Sequence, residues 1–175
     1  MEKIGIIGSG TWGTAIAVLL VNNGHEVTLW SAIPAEIEEM AKTRTHKNLP
    51  GVTLPEGIIY TADLEEAMKD KNLLVMAVPS VFVRSTAQKM KPFCKEGQLI
   101  VDVAKGIEEN TLDTMTQIIK EELPMADVAV LSGPSHAEEV GRGLPTTCVV
   151  GAKTKETAEY LQKMFMNETF RVYTS

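Results

Sequence analysis

The chain has 175 residues, of which 44% are hydrophobic and 23% charged, and its formal net charge is −6. These values are typical of one globular domain, and the negative charge argues against nucleic acid or an anionic membrane as a partner. No apolar run approaches the ~20 residues that a bilayer-spanning helix needs, so we expect no stable membrane insertion.

The first elements along the chain are a strand, a glycine-rich turn and a helix. The apolar run Lys3–Ile7 is followed by the motif Gly8-x-Gly10-x-x-Gly13. The predicted helix Thr11–Asn22 begins within this motif and continues as an apolar segment. In this context the first glycine takes the tight turn, the second lets the backbone approach a pyrophosphate, and the third packs the helix on the strand. The free N–H groups of the helix start would face the phosphates. The turn therefore predicts a dinucleotide site.

Strands and helices continue to alternate along the rest of the chain. Continuous apolar runs such as Leu73–Val78 suit strands that are buried on both faces of a parallel sheet. The pattern predicts an α/β fold, a doubly wound and mainly parallel sheet of the Rossmann type, as one domain over residues 1–175. The later predicted strands are Glu26–Ser31, Ile58–Thr61, Leu73–Val78, Leu99–Val103, Val128–Leu131, Thr146–Val150 and Phe170–Tyr173, and the later helices are Ala35–Lys42, Asp63–Lys69, Val81–Met90, Thr111–Leu123, His136–Val140 and Lys155–Met166.

The cysteines and histidines carry no metal-binding pattern. Cys94 and Cys148 form no CxxC pair, and His25, His46 and His136 are scattered, so we expect no metal site. Because no N-terminal secretory pattern is present, we read both cysteines as free thiols and expect a cytoplasmic location.

Ligands of doubly wound sheets bind beyond the carboxyl ends of the strands. Ser31 stands at the end of the second strand, where NAD-preferring folds often carry an acidic residue for the ribose. Neither a carboxylate nor an arginine is present there, so the sequence leaves NAD and NADP equally open. Lys105 follows the fifth strand; it is either a point charge for a phosphate or developing oxyanion, or a solvated loop lysine.

A second unusual stretch runs from Ser132 to Glu139. Gly133 and Pro134 predict a sharp turn, and Ser135 with Glu138 has the spacing of a capping box at a helix start. His136 is a weaker candidate general acid or base, because no carboxylate or nucleophile accompanies it in sequence.

Taken together, these motifs resemble the bacterial NAD(P)-dependent glycerol-3-phosphate dehydrogenases. The Ser-Gly-Pro-Ser-His-Ala-Glu-Glu run is far more specific than the glycine turn. The resemblance covers the whole chain and rests on Gly8-Ser-Gly-Thr-Trp-Gly-Thr-Ala, Val27-Thr-Leu-Trp, Val78-Pro-Ser, Lys105-Gly-Ile-Glu, Leu131-Ser-Gly-Pro-Ser-His-Ala-Glu-Glu-Val, Gly143-Leu-Pro-Thr and Phe170-Arg-Val-Tyr.

The resemblance implies reversible reduction of dihydroxyacetone phosphate to sn-glycerol 3-phosphate for phospholipid synthesis, with NAD or NADP as the cofactor. It implies that Thr11, Trp12 and Ala137 contact the cofactor and that Lys105 contacts both cofactor and substrate. Gly133 and Ser135 are the other substrate contacts that it implies. Family members often carry a basic residue or a histidine near the position that Ala32 and Ile33 occupy here.

The family also has a second, all-helical domain that supplies the proton-transferring lysine. We therefore expect this chain to be the N-terminal half of a longer, homodimeric enzyme, with no catalytic residue of its own, binding cofactor without turnover. Two alternatives stay open at this point: a non-catalytic dinucleotide sensor, and a related hydroxyacid dehydrogenase.

Overall fold

The computed structural model describes residues 1–175 as one eight-stranded sheet flanked by helices. The strand order is β3-β2-β1-β4-β5-β6-β7-β8. The strands are β1 (Lys3–Ile7), β2 (Glu26–Trp30), β3 (Ile58–Thr61), β4 (Leu73–Met76), β5 (Leu99–Asp102), β6 (Asp127–Ser132), β7 (Thr146–Gly151) and β8 (Phe170–Thr174).

Strands β1 to β6 run parallel, and the predicted doubly wound architecture is confirmed. Only the pairing of β6 with β7 is antiparallel, and β8 then follows β7 in parallel. The strand order reverses between β1 and β4, because the chain builds outward from β1 on both sides. A crevice opens at such a reversal, and this one lies directly beyond Ile7 and Met76.

Seven α-helices cover the two faces of the sheet, and none is both long and apolar enough to span a bilayer. Short 3-10 turns precede and follow α4, at Ser80–Phe82 and Lys91–Phe93. The helices are α1 (Thr11–Asn22), α2 (Pro34–Thr43), α3 (Leu64–Met68), α4 (Val83–Met90), α5 (Met115–Glu122), α6 (Ala137–Gly141) and α7 (Lys155–Phe165).

Alternating side chains of the central strands enter two separate hydrophobic cores. Ile4 and Ile6 of β1 join the larger cluster of 32 buried residues, on the face that α1 covers. Ile7 points to the other face and joins a cluster of 16 buried residues. Burial on both faces explains why the strand sequences are continuously apolar.

Several strands end earlier than the sequence pattern predicts. Ala77 and Val78 follow β4, and Val103 follows β5, yet all three are nearly completely buried. Burial in the crevice requires apolar side chains just as a strand does, so hydrophobicity alone could not separate the strands from the turns that follow them. The predicted helix Val81–Met90 likewise begins as a 3-10 turn and becomes α-helical only at Val83.

The predicted helix Thr111–Leu123 is wrong at its start. The α-helix begins at Met115, with Thr114 and Gln117 forming a reciprocal capping box. Leu112 has a φ of +64° and is 72% exposed, so it is neither helical nor part of the apolar face of α5. Since threonine caps a helix better than it continues one, the cap overrides the periodicity.

Candidate functional site

The glycine turn has the geometry that its sequence predicts. Gly8 has a φ of +124°, and a Cβ there would lie 2.6 Å from the backbone nitrogen of Val78. A Cβ on Gly13 would overlap the carbonyl oxygen of Gly8, so only glycine lets α1 approach the turn this closely. Gly10 differs, because no atom lies within 4 Å of the position that its Cβ would occupy. Two glycines therefore serve packing, and the third leaves a space open.

Helix α1 points its uncapped N-terminus into that open space. Gly10 is the N-cap residue and supplies no side-chain hydrogen bond, and the first turn of the helix carries no acidic residue. The first N–H groups of a helix lack intrahelical acceptors and carry partial positive charge. The arrangement suits an anion such as a diphosphate, and it lies where the strand order reverses.

A cleft of about 390 Å³ lies on the β2 side of the glycine turn. Ser31 at its wall is 5% exposed, and its hydroxyl accepts a hydrogen bond from the backbone N–H of Ile33 at 3.1 Å. Glu36 and Lys89 bring one charge of each sign to the same cleft. Arg44 does not line it, since its guanidinium donates to the carbonyl of Leu54 at 2.9 Å instead.

A second cleft, of about 370 Å³, opens on the opposite side of the turn. The ends of β4, β5 and β6 meet there with the start of α1. The cleft brings together most of the residues that the family resemblance singled out, including Thr11, Trp12, Lys105, Ser135 and Ala137. Residues that are more than 120 positions apart in sequence thus share one wall, because parallel strands end at the same edge of the sheet.

Lys105 joins the two turns of this second cleft. Its Nζ donates to the carbonyl oxygen of Ser135 at 3.3 Å and lies 3.5 Å from that of Gly133. The same ammonium stands 5.8 Å from the centre of the Trp12 ring, within the range of a cation–π interaction. Lys105 is an exposed residue, and these contacts place its ammonium at the crevice, between the two turns.

Trp12 offers a buried donor that no protein atom satisfies. Its Nε1 is fully shielded from solvent and has no hydrogen-bond partner. Buried polar groups in native proteins almost always have partners, so this indole N–H is an exception. The Trp12 side chain also packs against the larger hydrophobic core.

Gly133 is held against β7 beneath the second cleft. It has a φ of +157°, and a Cβ there would lie 2.7 Å from the carbonyl oxygen of Thr147 and 3.0 Å from the Cα of Cys148. Burial raises the pKa of the Cys148 thiol, which is completely shielded in the larger core. The thiol therefore supports the turn as a neutral packing group.

The predicted capping box between Ser135 and Glu138 is absent. His136 is the N-cap of α6 and makes no side-chain cap, while the Ser135 hydroxyl turns back toward the carbonyl of Gly133 at 3.5 Å. Ser135 is only 7% exposed, so it belongs to the turn rather than to the helix. His136 lines the second cleft without a partner carboxylate in hydrogen-bond contact.

Asp102 is a buried carboxylate that our sequence reasoning missed. It ends β5, is 2% exposed, and accepts hydrogen bonds from the N–H of Ala104 at 2.9 Å and from the hydroxyl of Thr116 at 3.2 Å. Burial, which outweighs these two bonds, raises its pKa to about 6. The carboxylate ties the start of the Lys105 turn to α5. An acidic residue inside an otherwise apolar strand was the available signal.

A charged cluster holds the segment that follows Lys105. The Arg84 guanidinium of α4 forms a two-pronged pair with Glu108, with both distances at 2.9 Å, and also contacts Glu121 at 3.2 Å. The hydroxyl of Thr111 adds a third donor to Glu108, at 2.7 Å. With Arg84 as the largest cause, the pKa of Glu108 falls to about 2. Bidentate geometry fixes orientation as well as charge.

The residues that could hold a metal ion do not come together. No group of three or more histidine, cysteine, aspartate or glutamate side chains is placed to bind one. The site is instead built from backbone amides, one lysine and small residues, which is the donor set of a phosphate-containing organic ligand.

The fold and the crevice together define a Rossmann-type nucleotide-binding domain. Residues 3–158 match the family model described as NAD-dependent glycerol-3-phosphate dehydrogenase N-terminus. Because this match covers most of the sequence, the chain belongs to that family.

Curated relatives and solved structures agree with this assignment. The chain is 60% identical to a glycerol-3-phosphate dehydrogenase [NAD(P)+] of Agathobacter rectalis, over all of this chain and 52% of the relative. It is 56% identical to that of Fusobacterium nucleatum, over 100% of this chain and 53% of the relative. The crystal structure of the Coxiella burnetii enzyme superposes with a TM-score of 0.93 at 29% identity, over 99% of this chain and 54% of the other. The chain thus spans about half the length of these relatives.

Proposed function

We propose that this chain is the cofactor-binding domain of a glycerol-3-phosphate dehydrogenase that interconverts dihydroxyacetone phosphate and sn-glycerol 3-phosphate with NAD(P)H. The observation that carries the proposal is the open space at Gly10, directly before the uncapped helix α1 and at the reversal of strand order. The names of the curated relatives support the reaction. When bound, the nicotinamide supplies the hydride that such a reduction needs.

The bound dinucleotide would extend through both clefts, with different residues contacting different parts of it. Backbone amides at Gly10, Thr11 and Trp12 hold the diphosphate between them. Ser31 faces the ribose on the β2 side, and Ala137 faces the cofactor in the second cleft.

The substrate would lie beside Lys105, with the Ser135 hydroxyl and the Gly133 backbone nearby. The lysine ammonium is already fixed by the Ser135 carbonyl, so it offers a preorganised positive charge to the substrate phosphate or to the carbonyl oxygen as it gains charge. No group in this cleft is a paired general acid and base. We therefore assign proton transfer to the second domain that the family resemblance implies, and expect residues 1–175 alone to bind cofactor without turnover.

The test is calorimetric titration of the chain with NADH and NADPH, in the wild type and in Gly10→Ala. The added methyl meets no protein atom, so the variant folds, but the methyl enters the space assigned to the diphosphate. Because alanine is a poorer N-cap than glycine, we expect the variant to lose some stability, about 1 kcal/mol at most. We expect at least about tenfold weaker binding, or 1.4 kcal/mol.

Gly141→Ala is the matched control for this titration. It adds the same methyl in α6, outside both clefts and with ordinary contacts, the shortest at 3.5 Å to Leu49. Equal affinities in Gly10→Ala and wild type would reject the turn as the binding site. For the full-length enzyme, cofactor binding without reduction of dihydroxyacetone phosphate would favour a sensing module, and preference for another ketone would favour a related dehydrogenase.

A homodimeric full-length enzyme and a cytoplasmic location complete the proposal. Both are supported by the family resemblance. Sedimentation of the full-length protein and fractionation of the producing cells test them; a monomer, or recovery in another compartment, would contradict the respective part.

A further inference from the structure

The carbonyl oxygen of Ser9, inside the glycine turn, receives two buried hydrogen-bond donors. The hydroxyl of Thr14 donates to it at 3.1 Å from the first turn of α1. The Nε2 atom of His46 lies 3.1 Å from the same oxygen and comes from a segment 37 residues away. Ser9 is 8% exposed, Thr14 0% and His46 9%, so all three residues of this contact are largely buried.

The second ring nitrogen of His46 fixes the direction of this hydrogen bond. Its Nδ1 lies 3.1 Å from the backbone nitrogen of Asn48, and that N–H can only donate. Nδ1 is therefore the acceptor, and the ring proton resides on Nε2, where it donates to Ser9. Burial, the largest influence, lowers the pKa of the imidazole and favours this neutral form.

Fixing the Ser9 carbonyl also fixes the amide hydrogen of Gly10. The two groups belong to one peptide unit, and the chain has no cis peptide bond. In a trans peptide the C=O and the following N–H point in opposite directions. A carbonyl held toward His46 and Thr14 therefore directs the Gly10 N–H to the other side of the turn, and it keeps a carbonyl dipole away from an incoming anion.

The segment that carries His46 has anchors of its own. The guanidinium of Arg44 donates to the carbonyl of Leu54 at 2.9 Å, and that of Arg142 donates to the carbonyl of Pro50 at 3.1 Å. Leu49 and Leu54 are at most 1% exposed in the larger core. Because these contacts hold the segment in place, removal of the imidazole would release the Ser9 carbonyl rather than the whole loop.

We propose that His46 is a positioning residue for the phosphate-binding turn: by donating to the Ser9 carbonyl it aims the Gly10 amide at the diphosphate of the cofactor. The inference rests on the proposed function, since it requires a dinucleotide at this turn. It adds a residue from outside the glycine motif to the binding machinery.

The experiment compares His46→Ala with His46→Gln in the 175-residue chain. A glutamine amide can replace Nε2–H as donor, whereas alanine leaves only Thr14. We expect His46→Ala to bind NADH about tenfold more weakly, which is 1.4 kcal/mol, and His46→Gln to bind within about twofold of wild type. Adenosine, which lacks the diphosphate, should bind equally to all three proteins.

The backbone amide resonance of Gly10 in the NMR spectrum of the ligand-free chain gives a readout that does not depend on the cofactor. His46→Ala should shift this resonance, because the Gly10 nitrogen shares a peptide unit with the Ser9 carbonyl that loses a donor. His46→Gln should leave it near the wild-type position. His25→Ala is the matched control, because His25 accepts a hydrogen bond from Glu2 N at 3.2 Å near the start of β2, at the far edge of the sheet.

Three outcomes would overturn the inference. They are wild-type NADH affinity in His46→Ala, equal losses in the alanine and glutamine variants, and an equal loss of adenosine binding. Failure of the wild-type chain to bind NADH would refute the proposed function instead. An unchanged Gly10 amide resonance in His46→Ala would then still reject the positioning role on its own.

Discussion

Lys105 and Ser135 lie 30 residues apart in sequence, yet the lysine Nζ donates to the serine carbonyl at 3.3 Å. This contact joins the turn after β5 to the turn after β6, at the edge of the sheet where the crevice opens. The ammonium is held by oxygen atoms of the backbone and by the face of Trp12, so no carboxylate cancels its charge in the cleft. A fixed cation that is not paired with an anion is suited to a phosphorylated ligand.

Removal of this cation should strongly reduce the catalytic efficiency of the full-length enzyme. We expect Lys105→Ala to lower kcat/KM for dihydroxyacetone phosphate by about 10²–10³-fold, the loss typical for one preorganised electrostatic group. Steady-state kinetics measure it. His136→Ala is the control from the same cleft, and we expect a far smaller loss there because this histidine has no paired carboxylate. Equal losses in the two variants would contradict this weighting of the two residues.

The position of Gly133 against β7 predicts a stability loss from a single methyl group. Gly133→Ala should lower the free energy of unfolding by about 1–3 kcal/mol, because the new Cβ would lie 2.7 Å from the Thr147 carbonyl on a backbone of φ +157°. Urea denaturation measures this change. Gly97→Ala separates the two causes, since Gly97 also has a positive φ, +78°, but open surroundings. If both variants lose the same stability, the collision with β7 contributes nothing.

Asp102 predicts an unusual pH dependence of stability. Its pKa is about 6 in the folded chain, against an ordinary value of 3.8, so between these pH values the folded state binds more protons than the unfolded state. The contribution of Asp102 to the free energy of unfolding is therefore fully present below pH 4 and is lost as the pH rises to about 6. The difference between the two pKa values corresponds to a loss of about 3 kcal/mol.

Asp102→Asn should remove that pH dependence and stabilise the protein at pH 7, because an amide carries no charge and can still serve both Ala104 and Thr116. Urea denaturation at several pH values between 4 and 7 is the measurement. Asp102→Ala is the control: it also removes the charge but leaves the Ala104 N–H without an acceptor, which costs about 1–3 kcal/mol. An unchanged pH profile in the asparagine variant would show that another group titrates.

The end of β2 predicts how cofactor preference can be altered. Ser31→Asp places a carboxylate at the wall of the first cleft, where it would repel a 2′-phosphate but accept bonds from ribose hydroxyls. The aspartate can also keep the turn bond to the Ile33 N–H that the serine hydroxyl now accepts. We expect the affinity ratio of NADPH to NADH to fall at least about tenfold. Calorimetry with both cofactors on one protein gives the internal control, and an unchanged ratio would place the ribose elsewhere.

Much of this protein could be predicted from its sequence because the relevant signals are local. The run from Ile4 to Gly13 specifies a buried strand, a turn and a helix through apolar side chains and glycine dihedrals that depend on near neighbours. The same holds for Asp63, the first residue of the predicted helix Asp63–Lys69, which caps α3 by accepting from the N–H groups of Glu65 and Glu66. Where two local signals competed, at Leu112 and Thr114, helical periodicity gave the wrong helix start because the cap is the stronger constraint.

Sequence alone determined the class of fold, the glycine-rich turn and the family. Only the tertiary structure decided that Lys105 is fixed by Ser135, that Asp102 supports its turn, and that His46 reaches Ser9. Each of these contacts joins residues that come close only through strand order, packing or a loop that folds back. No periodic pattern in the sequence indicates any of them. Backbone conformation follows from near neighbours, whereas the charge and hydrogen bonding of a site follow from which distant segments the sheet brings to one edge.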